Sequence, residues 1–573
     1  MHVITVYASA TFVIIELINN LAEPFNLPPN LLTIVVIVLA VGFPLAIMLS
    51  WLYDVTSGGV EKTRPIEELK KGEKTGVPNA WKIATYMSFV VILGLLTFNI
   101  IGGTKSLKAG DIQSLVVLPF DNFTGDDELE NLVSGMHAML VGDMGRIRKV
   151  TVVGGTTSNA YKNAGMTATE IADELNVDAV VEASVMCFGD SVCMQFRLVR
   201  TTGKEEQLWI ADFKEDKSQM LNLNNQITKQ IADEIMIELS PEEERFLAKS
   251  RTVDREAYDD FVRSYQYWDD LSPESLNKAL EYLNLAVEKD PDFAPIYAGL
   301  ALVWDGLAQL GFAEPDVAEP KIFENINKAL ELDPDFPTRH FVSGIIAVWT
   351  EWDWEKGERE FLKALELNPN DVMSRVYYAH LLWILKRYDE AHFHSQMAAE
   401  LDPMNPLILG LSSNVDCHSN IQQAVEKSKK ALEIDPEHFY AMAAFMDASY
   451  LNGDYKSTIE IELQFYPGLN DEARETIMAV FQDKGYVEAI NTMLTYVEEY
   501  ARTNHVGPFE LGELYYKVGN LDRFIECLIK GYEMHDPMMP YITISVAGFD
   551  DIKDDPRIKA IVEEMNLPFT APD

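Results

Sequence analysis

The chain has 573 residues, 47% of them apolar, and a net charge of −43, enough material for several domains with sizeable cores. Residues 1–104 carry six Lys/Arg against seven Asp/Glu, leaving 41 against 83 for the rest. So acidic a remainder repels nucleic acid and anionic lipid headgroups, and four cysteines are too few for a disulfide framework.

Three apolar runs, at about 3–22, 31–53 and 84–102, are each long enough to cross a bilayer as a helix. Glu16 interrupts the first, and Gly42 and Pro44 the second. The first has neither a basic start nor a small-residue cleavage site, so it reads as an anchor. The connection at 23–30 holds no Lys or Arg, whereas 54–83 holds Lys62, Arg64, Lys70, Lys71, Lys74 and Lys82. That bias places the second loop in the cytoplasm and everything after about residue 105 on the far side of the membrane.

A mixed segment follows. Ser114–Phe120 is a short apolar strand, a helical pattern covers about 127–147, and Lys149–Val153 is a second strand. Thr167 with Glu170 makes a capping box for a helix through Leu175. Strands near 178–188, 191–199 and 206–213 and a helix at about 218–238 complete a compact α/β unit. Cys187 and Cys193 bracket a tight turn at Gly189-Asp190; small buried thiols are the expected state, with a bridge left open for an oxidising compartment.

Ser240-Pro241-Glu242-Glu243-Glu244 opens a linker helix, and helical pairs run from about 256 to 536. They are punctuated by Asp290-Pro291, Asp333-Pro334, Asn368-Pro369, Asp402-Pro403 and Asp435-Pro436, whose prolines lie 43, 35, 34 and 33 residues apart. An insert at Gly311–Pro320 accounts for the long first interval. Gly344, Gly357, Ala364, Ala379, Ala391, Ala398, Ala424 and Ala431 fall where paired helices must touch. This pattern resembles the tetratricopeptide repeat, a helix–turn–helix unit of 34 residues. Residues 548–573 read as a cap on the last open face.

SLVVLPFDN, ELNVDAVVEASV and EEQLWIADF resemble the TolB amino-terminal-like domain of bacterial proteins that end in tetratricopeptide repeats. VGFPLAIMLSWLYDVTSGGVEKTRP, before that domain, and GNLDRFIECLIKGYEMHDP with DDPRIKAIVEEMNLP, at the end, are similar to segments of the same family. A class III adenylate cyclase or a winged-helix domain often precedes the membrane segment in that family. This chain starts almost inside its first apolar run, so neither activity is carried over.

Gly154-Gly155-Thr156-Thr157 lacks a P-loop lysine and a good helix start, and reads as a plain loop. His392 and His394 lie on different sides of a helix, and Cys417-His418 stands isolated in a loop-like stretch. No catalytic, cofactor-binding or metal-binding residue is singled out. Placed on the repeat pattern, Leu302, Asp305, Ile345, Trp349, His380 and Trp383 face the concave wall of the array as candidate partner-binding positions. Packing of Trp349 and Trp383 between neighbouring helices is the alternative.

The resulting expectation is multidomain. It comprises a three-helix transmembrane anchor (1–104), a TolB-like α/β domain (105–239), an all-α tetratricopeptide solenoid (240–547) and a cap (548–573). The expected function is a non-enzymatic, protein- or peptide-binding scaffold in a bacterial inner membrane. Its C-terminal domains are expected in the periplasm, with a role in signalling or envelope organisation. The rival is the non-catalytic part of an adenylate cyclase-type signalling protein or of a membrane-bound transcription regulator.

Overall fold

The computed structural model describes residues 110–571 apart from 126–129, 189–190, 203–204, 217–218, 249–252, 266, 269–270, 337, 467 and 545–547. Before them it describes positions 11, 39, 43, 53–56 and 59–62. The chain divides into two units, Met1–Leu107 and Lys108–Asp573. In the first, β1 (Tyr53–Thr56) pairs antiparallel with β2 (Gly59–Lys62), Tyr53 opposite Lys62, so the charged loop begins with a hairpin. The three apolar runs otherwise lie almost wholly outside the described residues, and no helix among those described is long and apolar enough to cross a membrane.

The second unit opens with a mixed sheet. β3 (Ser114–Val117) lies parallel between β5 (Thr151–Val152) and β6 (Ala179–Phe188), and β4 (Asp121–Asn122) also pairs with β6. β7 (Ser191–Arg200) and β8 (Glu206–Asp216) extend the sheet antiparallel, giving the order β5-β3-β6-β7-β8. Leu115–Val117 and Ala179–Val181 are buried on both faces, as parallel strands between helices must be. β7 alternates buried and half-buried positions instead, as a strand with one solvated face does.

One layer holds α1 (Glu130–Gly145) and α4 (Met220–Glu234), which bury Val133, Met136, Leu140, Leu223, Ile227 and Ile231. The other holds α2 (Gly155–Ala160) and α3 (Ala168–Leu175), with Ile171 and Ala172 packed on Val116 and Val180. The Thr167–Glu170 capping box is present in both directions. Cys187 and Cys193 stand opposite each other in the ladder and are joined by a disulfide, half-buried, rather than kept as buried thiols. The antiparallel register places the two cysteines directly opposite each other, which brings the sulfurs within bonding reach.

After the linker helix α5 (Pro241–Leu247), capped by Ser240 and Glu243, come eight helix pairs among the described residues. These are α6 (Arg255–Tyr265) with α7 (Pro273–Lys289), and α8 (Ala294–Gln309) with α9 (Pro315–Leu332). Next are α10 (Arg339–Ile345) with α11 (Trp354–Leu367), and α12 (Val372–Ile384) with α13 (Tyr388–Leu401). Then follow α14 (Pro406–Asp416) with α15 (Ile421–Ile434), and α16 (Phe439–Leu451) with α17 (Tyr455–Phe465). The last are α18 (Asp471–Lys484) with α19 (Tyr486–Tyr500), and α20 (Pro508–Lys517) with α21 (Leu521–Glu533). A 3-10 turn, Met539–Tyr541, and the short helices α22 (Phe549–Ile552) and α23 (Pro556–Glu564) end the chain.

Small residues mark the helix contacts. Ala379, Ala391, Ala398, Ala424 and Ala431 are fully buried, and a Cβ on Gly357 would stand 2.5 Å from Val348 Cγ2. The supposed insert is largely helical: Pro315–Pro320 form the first turns of α9. Each Asp/Asn of the proline ladder is the C-cap of its helix, and Asp333, Asn368 and Asp435 are extended there. In four of the five steps the side-chain oxygen then accepts the backbone N–H two residues on, at 3.0–3.3 Å, for Asp290, Asp333, Asn368 and Asp435. Asp402 does something else.

Candidate functional site

The six candidate residues form a wall of the array that is covered. Asp305, Ile345, Trp349, His380 and Trp383 are each at most 4% exposed, and Leu302 is half-buried against the same core. The cover is the chain's own segment after α21. Met539, Ile542 and Ile544 are buried in the core, and Tyr541 reaches the aromatic residues of the wall.

A five-residue π turn, Ile346–Thr350, continues α10 and carries Trp349 inward. Trp349 Nε1 donates to Tyr541 Oη at 3.2 Å, and that hydroxyl lies 3.0 Å from His380 Nδ1. His380 Nε2 lies 2.9 Å from the Leu411 carbonyl and must donate to it, leaving Nδ1 to accept from Tyr541. The chain of bonds is complete with a neutral imidazole, in keeping with burial lowering the His380 pKa to about 4. Trp383 packs edge-on against His380, and against Tyr541 and His418 at 5.8 and 5.6 Å between ring centroids. Asp305 accepts from Thr350 Oγ1 at 3.0 Å and Gln309 Nε2 at 2.7 Å; burial raises its pKa to about 7 against those two bonds. An open aromatic groove is therefore not what the fold presents. Spacing placed the residues on one wall but carried no sign of Tyr541, 192 positions after Trp349.

The terminal segment is clamped elsewhere too. Trp354 Nε1 donates to the Met565 carbonyl at 2.7 Å, and Lys386 Nζ to that of Phe569 at 2.9 Å. Trp352, in a left-handed conformation, meets His535 at 3.9 Å between centroids. The cap thus packs back onto the third and fourth helix pairs besides following α21.

A second constellation joins the α/β sheet to the array. Gly154 is followed directly by α2, so the loop is a helix start after all. Its anion is internal: Asp402, 4% exposed, accepts from Thr157 N at 2.7 Å and from Asn405 Nδ2 at 3.0 Å. Gly154 N donates to the Leu401 carbonyl at 2.7 Å, and Met404 N donates to Thr157 Oγ1 at 2.9 Å. One repeat earlier, Asn370 Nδ2 donates to the carbonyls of Gly145 and Val150, both at 2.9 Å, and its oxygen accepts from Val152 N at 3.2 Å. Two successive repeat turns therefore hold the sheet's β5–α2 edge. Burial raises the Asp402 pKa, against the bonds from Thr157 and Asn405.

A third feature is a buried ion pair. Lys517 Nζ lies 2.7 Å from Glu462 Oε1, with side chains 5% and 0% exposed, and Tyr486 donates its hydroxyl to the same carboxylate. His392 pairs with Asp416 at 2.9 Å, while His394 rests on the Tyr378 ring. Cys417, buried, is the C-cap of α14 and opens the turn to α15, as the loop-like stretch suggested. Among the described residues no group of three His, Cys, Asp or Glu is placed to hold a metal ion.

The paired helices and their turn geometry define a tetratricopeptide-type array, and known proteins of that class are similar to it. No family profile matches the chain. A Rhizobium meliloti protein named "Putative adenylate cyclase 3" is 26% identical over 239 residues, 41% of this chain and 40% of that one. The chain thus spans less than half the length of this relative. YrrB, described as a TPR protein with an unusual peptide-binding site, is 23% identical, covering 33% of this chain and 91% of its own, with a TM-score of 0.21. Yeast Tom70 is 18% identical, covering 54% of this chain and 68% of its own, with a TM-score of 0.30.

Proposed function

We propose that the chain is a membrane-anchored scaffold that binds a protein or peptide through its tetratricopeptide array, with the α/β domain, TolB-like by its motifs, as a module fixed to it. The observation that carries this reading is the succession of eight helix pairs held to the sheet by two of its own repeat turns. The proposal is non-enzymatic and puts the second unit in the periplasm of a bacterial inner-membrane protein. The basic loop at 54–83 supports that side, and so does the Cys187–Cys193 bond, which an oxidising compartment preserves. Because the segment through Tyr541 covers the wall around Trp383, a ligand there would have to displace that segment.

A second reading, the non-catalytic part of a cyclase-type signalling protein, draws on the adenylate cyclase name of the relative. One experiment addresses the side of the membrane and another the chemistry. A reporter active only outside the cytoplasm, fused after residue 105, is expected to be active; activity of a cytoplasmic reporter there would overturn the placement. Purified chain with ATP or GTP and a divalent metal is expected to form no cyclic nucleotide above a blank. Turnover that follows the protein through purification would contradict the scaffold.

A further inference from the structure

A cavity of about 190 Å³ lies where the end of α1, the linker helix α5, and the turn before α10 with α11 converge. Its walls are apolar at Ile147, Phe246, Phe336 and Leu367, and of its fifteen lining residues five are Arg or Lys and four are Asp or Glu. Three of those cations are held by protein groups. Arg148 pairs with Glu242 at 2.5 Å, and Lys363 with Glu366 at 3.0 Å. Arg339 donates to the Pro334 carbonyl at 2.6 Å and pairs with Asp335 at 3.7 Å.

Two are not so held. The Arg146 guanidinium lies 3.9 Å over the Phe246 ring with its side chain only 16% exposed. Its one ion-pair partner among the described residues is Asp143, at 4.0 Å, beyond hydrogen-bond distance. Arg245 is exposed at the rim and has no ion pair among the described residues. A largely buried guanidinium with no protein acceptor is costly, and a carboxylate is the acceptor whose two oxygens match its fork.

We propose that this cavity binds a small organic carboxylate. Its apolar body would lie between Phe246 and Phe336, and its charge would sit on Arg146 and Arg245. The volume suits that class, since about 150 Å³ holds a benzene molecule. The walls come from the α/β domain, the linker and the array, so an occupant ties the three together. This inference stands apart from the scaffold reading and survives its failure.

The test uses the full chain and benzoate, followed by calorimetric titration, with benzyl alcohol and inorganic phosphate as controls. Benzoate is expected to bind saturably at millimolar or tighter concentration, and benzyl alcohol and phosphate much more weakly. Arg146→Gln is expected to weaken benzoate by about tenfold or more. Arg245→Gln, at an exposed position, keeps the test open if the first variant does not fold, and is expected to weaken binding severalfold. Absence of saturable benzoate binding overturns the proposal. So does equal binding of either control, or unchanged benzoate affinity in the folded variants.

Discussion

Lys517 makes a buried ion pair that joins the sixth helix pair to the eighth. Burial works against its charge, but Glu462 and Glu513 outweigh burial and keep its pKa above the ordinary lysine value. Its ammonium also lies 5.1 Å over the Tyr450 ring. Removing one member of a buried pair leaves the other uncompensated. Lys517→Met should therefore lower unfolding stability by about 3–5 kcal/mol in urea melts, and adding Glu462→Leu should recover most of it. A loss of under about 1 kcal/mol would place the pair in water. Burial also raises the Asp305 pKa to about 7 and that of Glu513 to about 8, the latter helped by Asp447 and Glu510 and opposed by Lys517. Both acids thus bind protons more tightly in the folded state, so their contribution is present at low pH and lost as pH rises through 7 and 8. The buried His137 and His380, lowered to about 4, act in the opposite sense, but only below the unfolded value of 6.5. Between pH 6.5 and about 8 the melting temperature should fall. A rise over that window would contradict the burial of these acids.

At the scale of elements, the repeat turns do two jobs. Four of the five ladder residues close their own turns, while Asp402 and Asn370 reach out to the sheet. A Cβ on Gly154 would stand 2.3 Å from Asp402 Cγ, so Gly154→Ala should push the carboxylate off α2. Hydrogen exchange at Thr157 should then quicken, while Asp435→Ala, a cap of the same sequence type, should leave it unchanged. Equal exchange in both variants would show that the contact does not hold the sheet. The ladder was legible because a proline after an Asp or Asn is a local signal, repeated at one spacing. The capping boxes at Thr167 and Ser240 were legible for the same reason. Gly154-Gly155-Thr156-Thr157 read as a plain loop, yet it starts a helix whose first turn holds a carboxylate. Its anion comes from a residue 245 positions away, which no spacing reveals.

Across the second unit, the solenoid does not stay open. The segment through Tyr541 and the cap through Phe569 fold back onto helices laid down some two hundred residues earlier. The wall positions were readable from the repeat register, but their cover was not, because each cover contact joins residues more than about 150 positions apart. Closure of this wall is what turns Trp349, His380 and Trp383 from an exposed surface into core, and it determines how any partner gains access. Tyr541→Ala followed by hydrogen exchange tests it most directly. Loss of the hydroxyl and ring leaves Trp349 Nε1 and His380 Nδ1 without partners, and exchange is predicted to quicken in 342–350 and 376–384 as well as around 541. Quickening confined to the segment around residue 541, with the earlier helices unchanged, would contradict the closed wall.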